Sequence, residues 1–377
     1  MLHDDLGAKA LGMMEIVLFP GDGVGPEVVT EAVKVLSAVE RRFGHRFEFQ
    51  TLAIGGDALD RYGVPLRRED VRAAMHADAV LLGAVGGPAW DMVEPALRPE
   101  RGLLQIRQAL NLFANLRPVS VPPSLVESSP LRPEIVAGVD LLVVRELTGG
   151  IYFGKPSRRA SGTRGRYAVD TLRYREDEIE RVVRLAFQLA QGRRRKVASV
   201  DKSNVLQSSR LWREIADEVA AGFPEVDLEH VLVDAMAMHL VKSPGRFDVI
   251  VTENMFGDIL TDEASVLPGS IGVLPSASVS DRPGKAPGTR FGLYEPIHGG
   301  APDIAGQGKA NPTGTILSAA MMLRWSLGLD DAANAVEAAV ASAIDDGVRT
   351  PDIALAGATP VTTEAFGDEV ARRVEAV

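Results

Sequence analysis

Short apolar runs recur along the chain between longer stretches of helical period, and this alternation restricts the fold to the α/β class. Strand-like runs cover residues 15–19, 79–85, 141–144, 197–200, 231–233 and 247–252, and most of them precede a helix. The first such helix spans about 26–42, with Pro26 suited to its first turn. Further helical stretches at 176–194, 205–221 and 312–328 carry apolar residues three and four apart, such as Val182, Val183, Ala186, Phe187 and Ala190. Segments 155–166 and 280–292 are rich in breakers and charge and read as exposed loops or arms. A length of 377 residues allows two domains at ~150 residues each, or one large one.

The chain has no cysteine, which removes thiolate nucleophiles, disulfides, Cys-type zinc sites and iron–sulfur clusters. Oxygen and nitrogen groups must carry the chemistry. With 51 acidic against 41 basic residues the net charge is −10, unfavourable for binding nucleic acid or an anionic membrane. The run Arg193, Arg194, Arg195, Lys196 is basic, yet it closes an expected helix, where cations complement the dipole. No segment approaches the ~20 apolar residues of a membrane span. The N-terminus, with Asp4, Asp5 and Lys9, does not read as a secretory signal. The expectation is a cytoplasmic protein with no nucleic-acid or membrane partner, residues 1–13 forming an extension.

Gly21, Asp22, Gly23, Val24 and Gly25 follow a strand and open a helix. The third glycine is not at the dinucleotide-fingerprint spacing, and no acidic residue clearly ends a second strand about twenty positions on. A tight structural turn is the better reading.

Asp258 and Asp262 lie four apart, on one helical face just beyond the run 247–252. Like charges at that spacing repel unless a cation lies between them; the plainer account is an acidic first turn complementing the helix dipole. Asp234 tips the balance, because it also follows an apolar run and precedes a helix. Three carboxylates at strand ends suit Mg²⁺ or Mn²⁺.

Arg107, Arg117 and Arg145 form a second group, and Arg145 ends a wholly apolar run. A guanidinium held there needs a carboxylate or phosphate partner. Singly, each is more often a structural ion pair; three opposite a divalent cation suit a small di- or tricarboxylate. Lys202 follows Asp201 at a strand end, and Tyr152 lies in the glycine-flanked stretch 149–154. Nearby cations lowering both pKa values would make them an acid–base pair. Taken alone, a surface lysine and a packing tyrosine are the simpler account. The glycine-rich stretch 295–306 holds His298, Gly299, Gly300, Ala301, Asp303 and Ile304 and ends near Asn311, where a helix begins. Its backbone N–H groups can cradle a phosphate or adenosine. For His298, stacking or hydrogen bonding outranks metal coordination.

Together these blocks, at 21–27, 112–118, 144–154, 199–206, 233–241, 256–260, 265–270 and 301–306, resemble the decarboxylating β-hydroxyacid dehydrogenases, the family of isopropylmalate and isocitrate dehydrogenases. The resemblance runs from about residue 15 to near the C-terminus. It implies a non-Rossmann, two-domain α/β fold around one large twisted mixed sheet. Residues 1–112 plus 269–377 would form the cofactor domain, and 113–268 an inserted domain with the dimer interface and the metal and catalytic residues. The implied reaction is NAD-dependent oxidative decarboxylation of a dicarboxylate, 3-isopropylmalate, to 4-methyl-2-oxopentanoate and CO₂, a step of leucine biosynthesis.

In the residue roles that the resemblance implies, Arg107, Arg117 and Arg145 grip the substrate carboxylates, and Asn204 and Asp234 also contact substrate. Asp234, Asp258 and Asp262 hold Mg²⁺ or Mn²⁺, and Lys202 and Tyr152 are catalytic. Gly86, Gly87, His298, Gly299, Gly300, Ala301, Asp303, Ile304 and Asn311 line the NAD site. The implied assembly is a homodimer with shared active sites, Lys202 and Asp234 reaching the pocket from the partner chain.

Isocitrate, homoisocitrate and tartrate or malate are the rival substrates. Leu103 and Leu104, one turn before Arg107, suit a branched alkyl group where an isocitrate enzyme would be expected to place a polar pair. A metal-dependent phosphoryl-transfer enzyme would use carboxylates and arginines but would not need Lys202, Tyr152 and an adenosine loop together. A non-catalytic dicarboxylate-binding protein would bind substrate without reducing NAD.

Overall fold

The computed structural model describes residues 12–376; of the expected N-terminal extension, residues 1–11 lie outside the described residues. In chain order the strands are β1 (Met14–Gly21), β2 (Phe47–Thr51), β3 (Ala79–Ala84), β4 (Ala114–Ser120), β5 (Asp140–Glu146), β6 (Arg158–Gly162), β7 (Gly165–Val169), β8 (Lys196–Asp201), β9 (Asp227–Leu232), β10 (Val249–Thr252), β11 (Pro275–Pro283) and β12 (Arg290–Pro296). Helices lie between most of them, the α/β pattern that the apolar periodicity predicts. The chain divides into two compact units: one runs up to Leu112 and resumes at Ser270, and the other is Phe113–Gly269.

The discontinuous unit carries strands in the order β2-β1-β3-β12-β11, parallel except that β11 runs antiparallel to β12. Its first helix, Gly25–Phe43, has Pro26 and Glu27 in the first turn and Arg41 and Arg42 in the last, charges that oppose the helix dipole at both ends. Gly44, at φ 73°, ends it by donating its N–H to Glu40 O. Val28, Ala32, Val35, Leu36 and Val39 are fully or almost fully buried at helical spacing, each branched side chain contributing ~1.5–3 kcal/mol. The same helix is tied to Thr363–Ala376 by Lys34–Asp368 and Arg41–Glu375.

The turn 21–25 is structural, as its glycine spacing suggests. Gly21 and Gly23 have φ of 71° and 59°, and a Cβ on Gly23 would stand 1.8 Å from Gly300 O. Val24 N–H donates to Gly300 O at 2.8 Å. Asp22 ties this turn to two neighbours, accepting N–H groups of Gly56, Asp57 and Gly86 at 2.9, 2.8 and 2.7 Å.

The continuous unit carries β4-β5-β10-β8-β9, with β5, β10, β8 and β9 all parallel and β4 antiparallel to β5. The carboxyl ends of four strands therefore share one edge, where ligand sites gather in α/β sheets. Arg145 is at the end of β5, Lys202 follows β8, Asp234 follows β9, and Glu253 and Asn254 follow β10. All four residues of β10 and all but the first of β5 are buried, hence their near-continuous apolar sequence.

Segment 155–166 is an exposed arm, as its breakers and charge predict: β6 and β7 form an antiparallel hairpin, exposed along almost its whole length. Other expectations are corrected. Segment 280–292 is also largely a hairpin, since β11 extends to Pro283 and β12 starts at Arg290; Ser280 is buried. The helix expected at 176–194 stops at Gln191, so the basic run falls beyond it. Arg193 instead pairs with Asp140 and with the fully buried Asp248, and Arg194 bonds the carbonyls of Asp140 and Phe247. An unpaired buried carboxylate costs more than a solvated cation gains from a helix end. Val233 is already helical, which places Asp234 in the first turn of Val233–Lys242.

Candidate active site

In the continuous unit, the helix Asn254–Ala264 starts directly after β10, capped by the Glu253 side chain, which accepts Phe256 N–H at 2.7 Å. Asp258 and Asp262, one turn apart, lie beside the two arginines that β4 and β5 supply. Arg145 Nη1 bonds Asp258 Oδ1. Arg117 Nη2 stands 3.9 Å from Asp258 Oδ1, and its Nη1 stands 3.8 Å from Asp262 Oδ1. Gly257 is needed for this approach: a Cβ there would lie 2.6 Å from Arg145 Cγ. Both guanidiniums are buried and locked by neutral partners, Arg117 by Asn115 Oδ1 and Thr261 Oγ1 at 2.6 Å each, and Arg145 by Asn254 O and Oδ1 at 2.9 and 2.8 Å.

Tyr152 closes the cluster, donating its hydroxyl to Asp258 Oδ2 at 2.8 Å. The expectation that cations lower its pKa is wrong. Burial first, then the charge of Asp258, push the phenol up to about 12, with Arg145 opposing. Asp262 is also raised, by desolvation first and by Asp258, with Arg117 and Arg145 opposing.

Lys202 and Asp234 meet each other at 2.5 Å, and the lysine holds Asp234 below the usual carboxylate range. Among the described residues no group of three His, Cys, Asp or Glu side chains converges to hold a metal, so this chain by itself does not bring Asp234 to Asp258 and Asp262. Asn204 is exposed in the turn after β8.

In the discontinuous unit, Arg107 lies on the helix Pro99–Ala109 one turn after the half-buried Leu103 and Leu104. It is buried against Glu295 at 2.7 Å, and its Nε is buried without a partner. Gly300 comes against Gly86, whose carbonyl would be 2.5 Å from an added Cβ, while a Cβ on Gly87 would touch Trp90 at 3.4 Å. The loop after β12 then opens. Gly299 and Gly306 have nothing within 4 Å of an added Cβ, Ala301 has φ 40°, Asp303 is exposed and Ile304 packs with Ala301 and Ala305 on Val24 and Val28. His298 bonds Gly299 O through Nδ1 at 2.9 Å, leaving Nε2 buried and unpartnered, and burial lowers its pKa. Asn311 bridges Thr313 N–H and Asp352 at 3.0 Å each.

Sequence reasoning met Asp22, Asn254, Thr261 and Glu295 only as members of longer segments, without a role of their own, and did not reach Asn115. Their roles depend on contacts between segments distant along the chain.

The donor sets suit the groups the fold calls for. Asp258 and Asp262 present two hard oxygen donors whose mutual repulsion a divalent cation would relieve. The open glycine backbone and the unpartnered His298 Nε2 suit a nucleotide.

Comparison with known proteins agrees with this architecture. Residues 15–370 match the family described as isocitrate/isopropylmalate dehydrogenase. The 3-isopropylmalate dehydrogenase of Geobacillus kaustophilus (strain HTA426) is 59% identical over 360 residues, 96% of this chain and 95% of that protein. That of Anaeromyxobacter dehalogenans (strain 2CP-C) is 56% identical over 96% of this chain and 99% of that protein. The crystal structure of isocitrate dehydrogenase from Methylococcus capsulatus superposes with a TM-score of 0.83 at 35% identity, covering 96% of this chain and all (100%) of that one.

Proposed function

The chain belongs to the isocitrate/isopropylmalate dehydrogenase family, and from that premise we propose that it catalyses NAD-dependent oxidative decarboxylation of 3-isopropylmalate to 4-methyl-2-oxopentanoate and CO₂, a step of leucine biosynthesis, in the cytoplasm. The observation that carries this reading is the cluster of Arg117, Arg145, Tyr152, Asp258 and Asp262: two buried cations for a dianion, a phenol that keeps its proton and two metal-type donors. The choice of isopropylmalate over isocitrate is supported by the relatives at 56–59% identity, and by the apolar pair Leu103 and Leu104.

Asp258 and Asp262, with Asp234 of a second copy, would hold Mg²⁺ or Mn²⁺. When bound, the cation supplies Lewis acidity toward the substrate hydroxyl and NAD supplies a hydride acceptor. Arg107, Arg117 and Arg145 bind and orient the two carboxylates. Lys202, from the second copy, takes the proton of the C2 hydroxyl as C2 is oxidised, which leaves a β-keto acid. The C3 carboxylate departs as CO₂, and Tyr152 donates the proton that completes the ketone. Asp303 accepts from an adenosine ribose and repels a 2′-phosphate, which supports NAD over NADP.

Sharing of the site between two copies is supported by the Lys202–Asp234 pair, whose charges meet each other within the chain while no third carboxylate joins Asp258 and Asp262 among the described residues. A second support is the exposure of Met238, Val241, Ile259 and Val266 on or just after the helices Val233–Lys242 and Asn254–Ala264. Apolar side chains clustered this way mark a protein interface.

The test is turnover of 3-isopropylmalate, isocitrate, homoisocitrate and malate with NAD and with NADP, followed by absorbance of the reduced cofactor. Isopropylmalate with NAD is expected to be fastest; faster isocitrate turnover, or equal efficiency with NADP, would reject the corresponding part of the proposal.

A further inference from the structure

Behind Tyr152 lies a polar cluster that the proposed chemistry leaves unused. Glu146, Glu253 and Tyr174 are buried, at 0%, 4% and 8% exposure. Tyr174 Oη stands 3.2 Å from Glu146 Oε2 and 3.2 Å from Glu253 Oε2, and it accepts Asn254 N–H at 2.9 Å. The phenol has one proton to share between these two oxygens, and Glu146 Oε2 also accepts Gly149 N–H at 2.8 Å. Burial raises both carboxyls above their ordinary range, with the N–H groups they accept opposing.

Each carboxyl organises one half of the site. Glu146 accepts Thr148 N–H, the Thr148 hydroxyl and Gly149 N–H at 2.8 Å each, which fixes the turn entering Gly150–Tyr152. Glu253 caps the helix that carries Asp258. Asn254 crosses between the halves, donating Nδ2 to Gly149 O at 3.1 Å while its oxygens hold Arg145. The Tyr174 ring lies flush on the turn: a Cβ on Gly149 would sit 2.6 Å from Cε1, and one on Gly150 would sit 2.4 Å from Oη.

We infer that Tyr174 is a positioning residue, whose hydroxyl clamps the Tyr152 turn to the head of the Asp258 helix and so sets the 2.8 Å contact between Tyr152 and Asp258. Its catalytic consequence rests on the reading of Tyr152 as proton donor. Removing the hydroxyl leaves Asn254 N–H buried without an acceptor and two carboxyls without their common donor. The turn then keeps only the 3.1 Å bond from Asn254 Nδ2 to Gly149 O as its tie to the helix head.

Tyr174→Phe retains the ring and tests the clamp. We expect kcat to fall about tenfold or more, as displaced reacting groups commonly cost, with a smaller change in KM for isopropylmalate. In a Tyr152→Phe background the same substitution should add little, because both act through one group. A crystal structure of the variant should show the Tyr152–Asp258 hydrogen bond broken. The same fold-loss in both backgrounds, or an intact hydrogen bond in that crystal structure, would overturn the inference. If Tyr174→Phe does not accumulate folded, Glu146→Gln enters the same cycle and the same crystallographic comparison. Full activity of Tyr152→Phe would reject the proposed function instead, and the crystal structure would still decide the clamp.

Discussion

Tyr152 donates its hydroxyl to Asp258 at 2.8 Å, so the proposed proton donor and a proposed metal ligand are held by one another. Because burial first, and then that contact, push the phenol from 10.0 up to about 12, folding favours the protonated form. The associated stability is present in full below pH 10.0 and is lost as pH rises through about 12. Subtracting the ultraviolet titration of Tyr152→Phe from that of the wild type should reveal no tyrosinate from Tyr152 at about pH 10.5. A half-titrated phenol there would show that neither burial nor Asp258 raises it.

Leu103 and Leu104 are half-buried on the helix that carries Arg107, and in the proposed reaction they receive the isopropyl group. Truncating either to Ala should reduce discrimination between isopropylmalate and malate by ~1–3 kcal/mol in relative kcat/KM, the usual worth of a small apolar contact. Unchanged discrimination in both variants would place the alkyl pocket elsewhere.

The proposed reaction makes Asp258 and Asp262 metal ligands. Chelation should abolish turnover reversibly, and Asp262→Asn should raise the Mn²⁺ concentration for half-maximal activity by at least about tenfold. Melting curves with Mn²⁺ alone give a second readout: the wild type should gain stability with added metal and the variant much less. Equal metal response of the two proteins would remove Asp262 from the ligand set.

Site sharing predicts complementation between defective chains. Lys202→Ala and Asp258→Asn should each be nearly inactive as homodimers. In a mixed dimer one site collects both defects and the other has neither. Equal amounts reassorted at random give about half mixed dimers, so roughly a quarter of wild-type activity should return after refolding together or co-expression. Hybrid dimers that form yet remain as inactive as their parents would place Lys202 in its own chain's site.

What the sequence made legible follows from burial. β3, β5, β8 and β10 are enclosed on both faces and therefore read as apolar runs. β2, with only Phe47 buried, and β4, interrupted by Arg117 and Pro118, lack that signal. β11 and β12 were hidden by their Pro- and Gly-rich connection, although Ser276, Ser278 and Ser280 are buried within β11. At the site, Asp258 and Asp262 declared themselves because helical spacing is local. Tyr174 gave no such sign: its role comes from Glu146 and Glu253, 28 and 79 residues away along the chain.

The discontinuity of the first unit has a consequence for a chain that leaves the ribosome N-terminus first. β3 pairs on one side with β1 but on the other with β12, which begins at Arg290. Until that strand emerges, the edge of β3 lies open, an apolar strand with unsatisfied backbone groups that invites intermolecular pairing. The Phe113–Gly269 unit, by contrast, is a single continuous stretch of chain and can close first. Nascent chains stalled a few tens of residues beyond Gly269 should yield a protease-resistant fragment from the second unit while the first is still digested, which makes the segment up to β3 the natural client of a chaperone during synthesis.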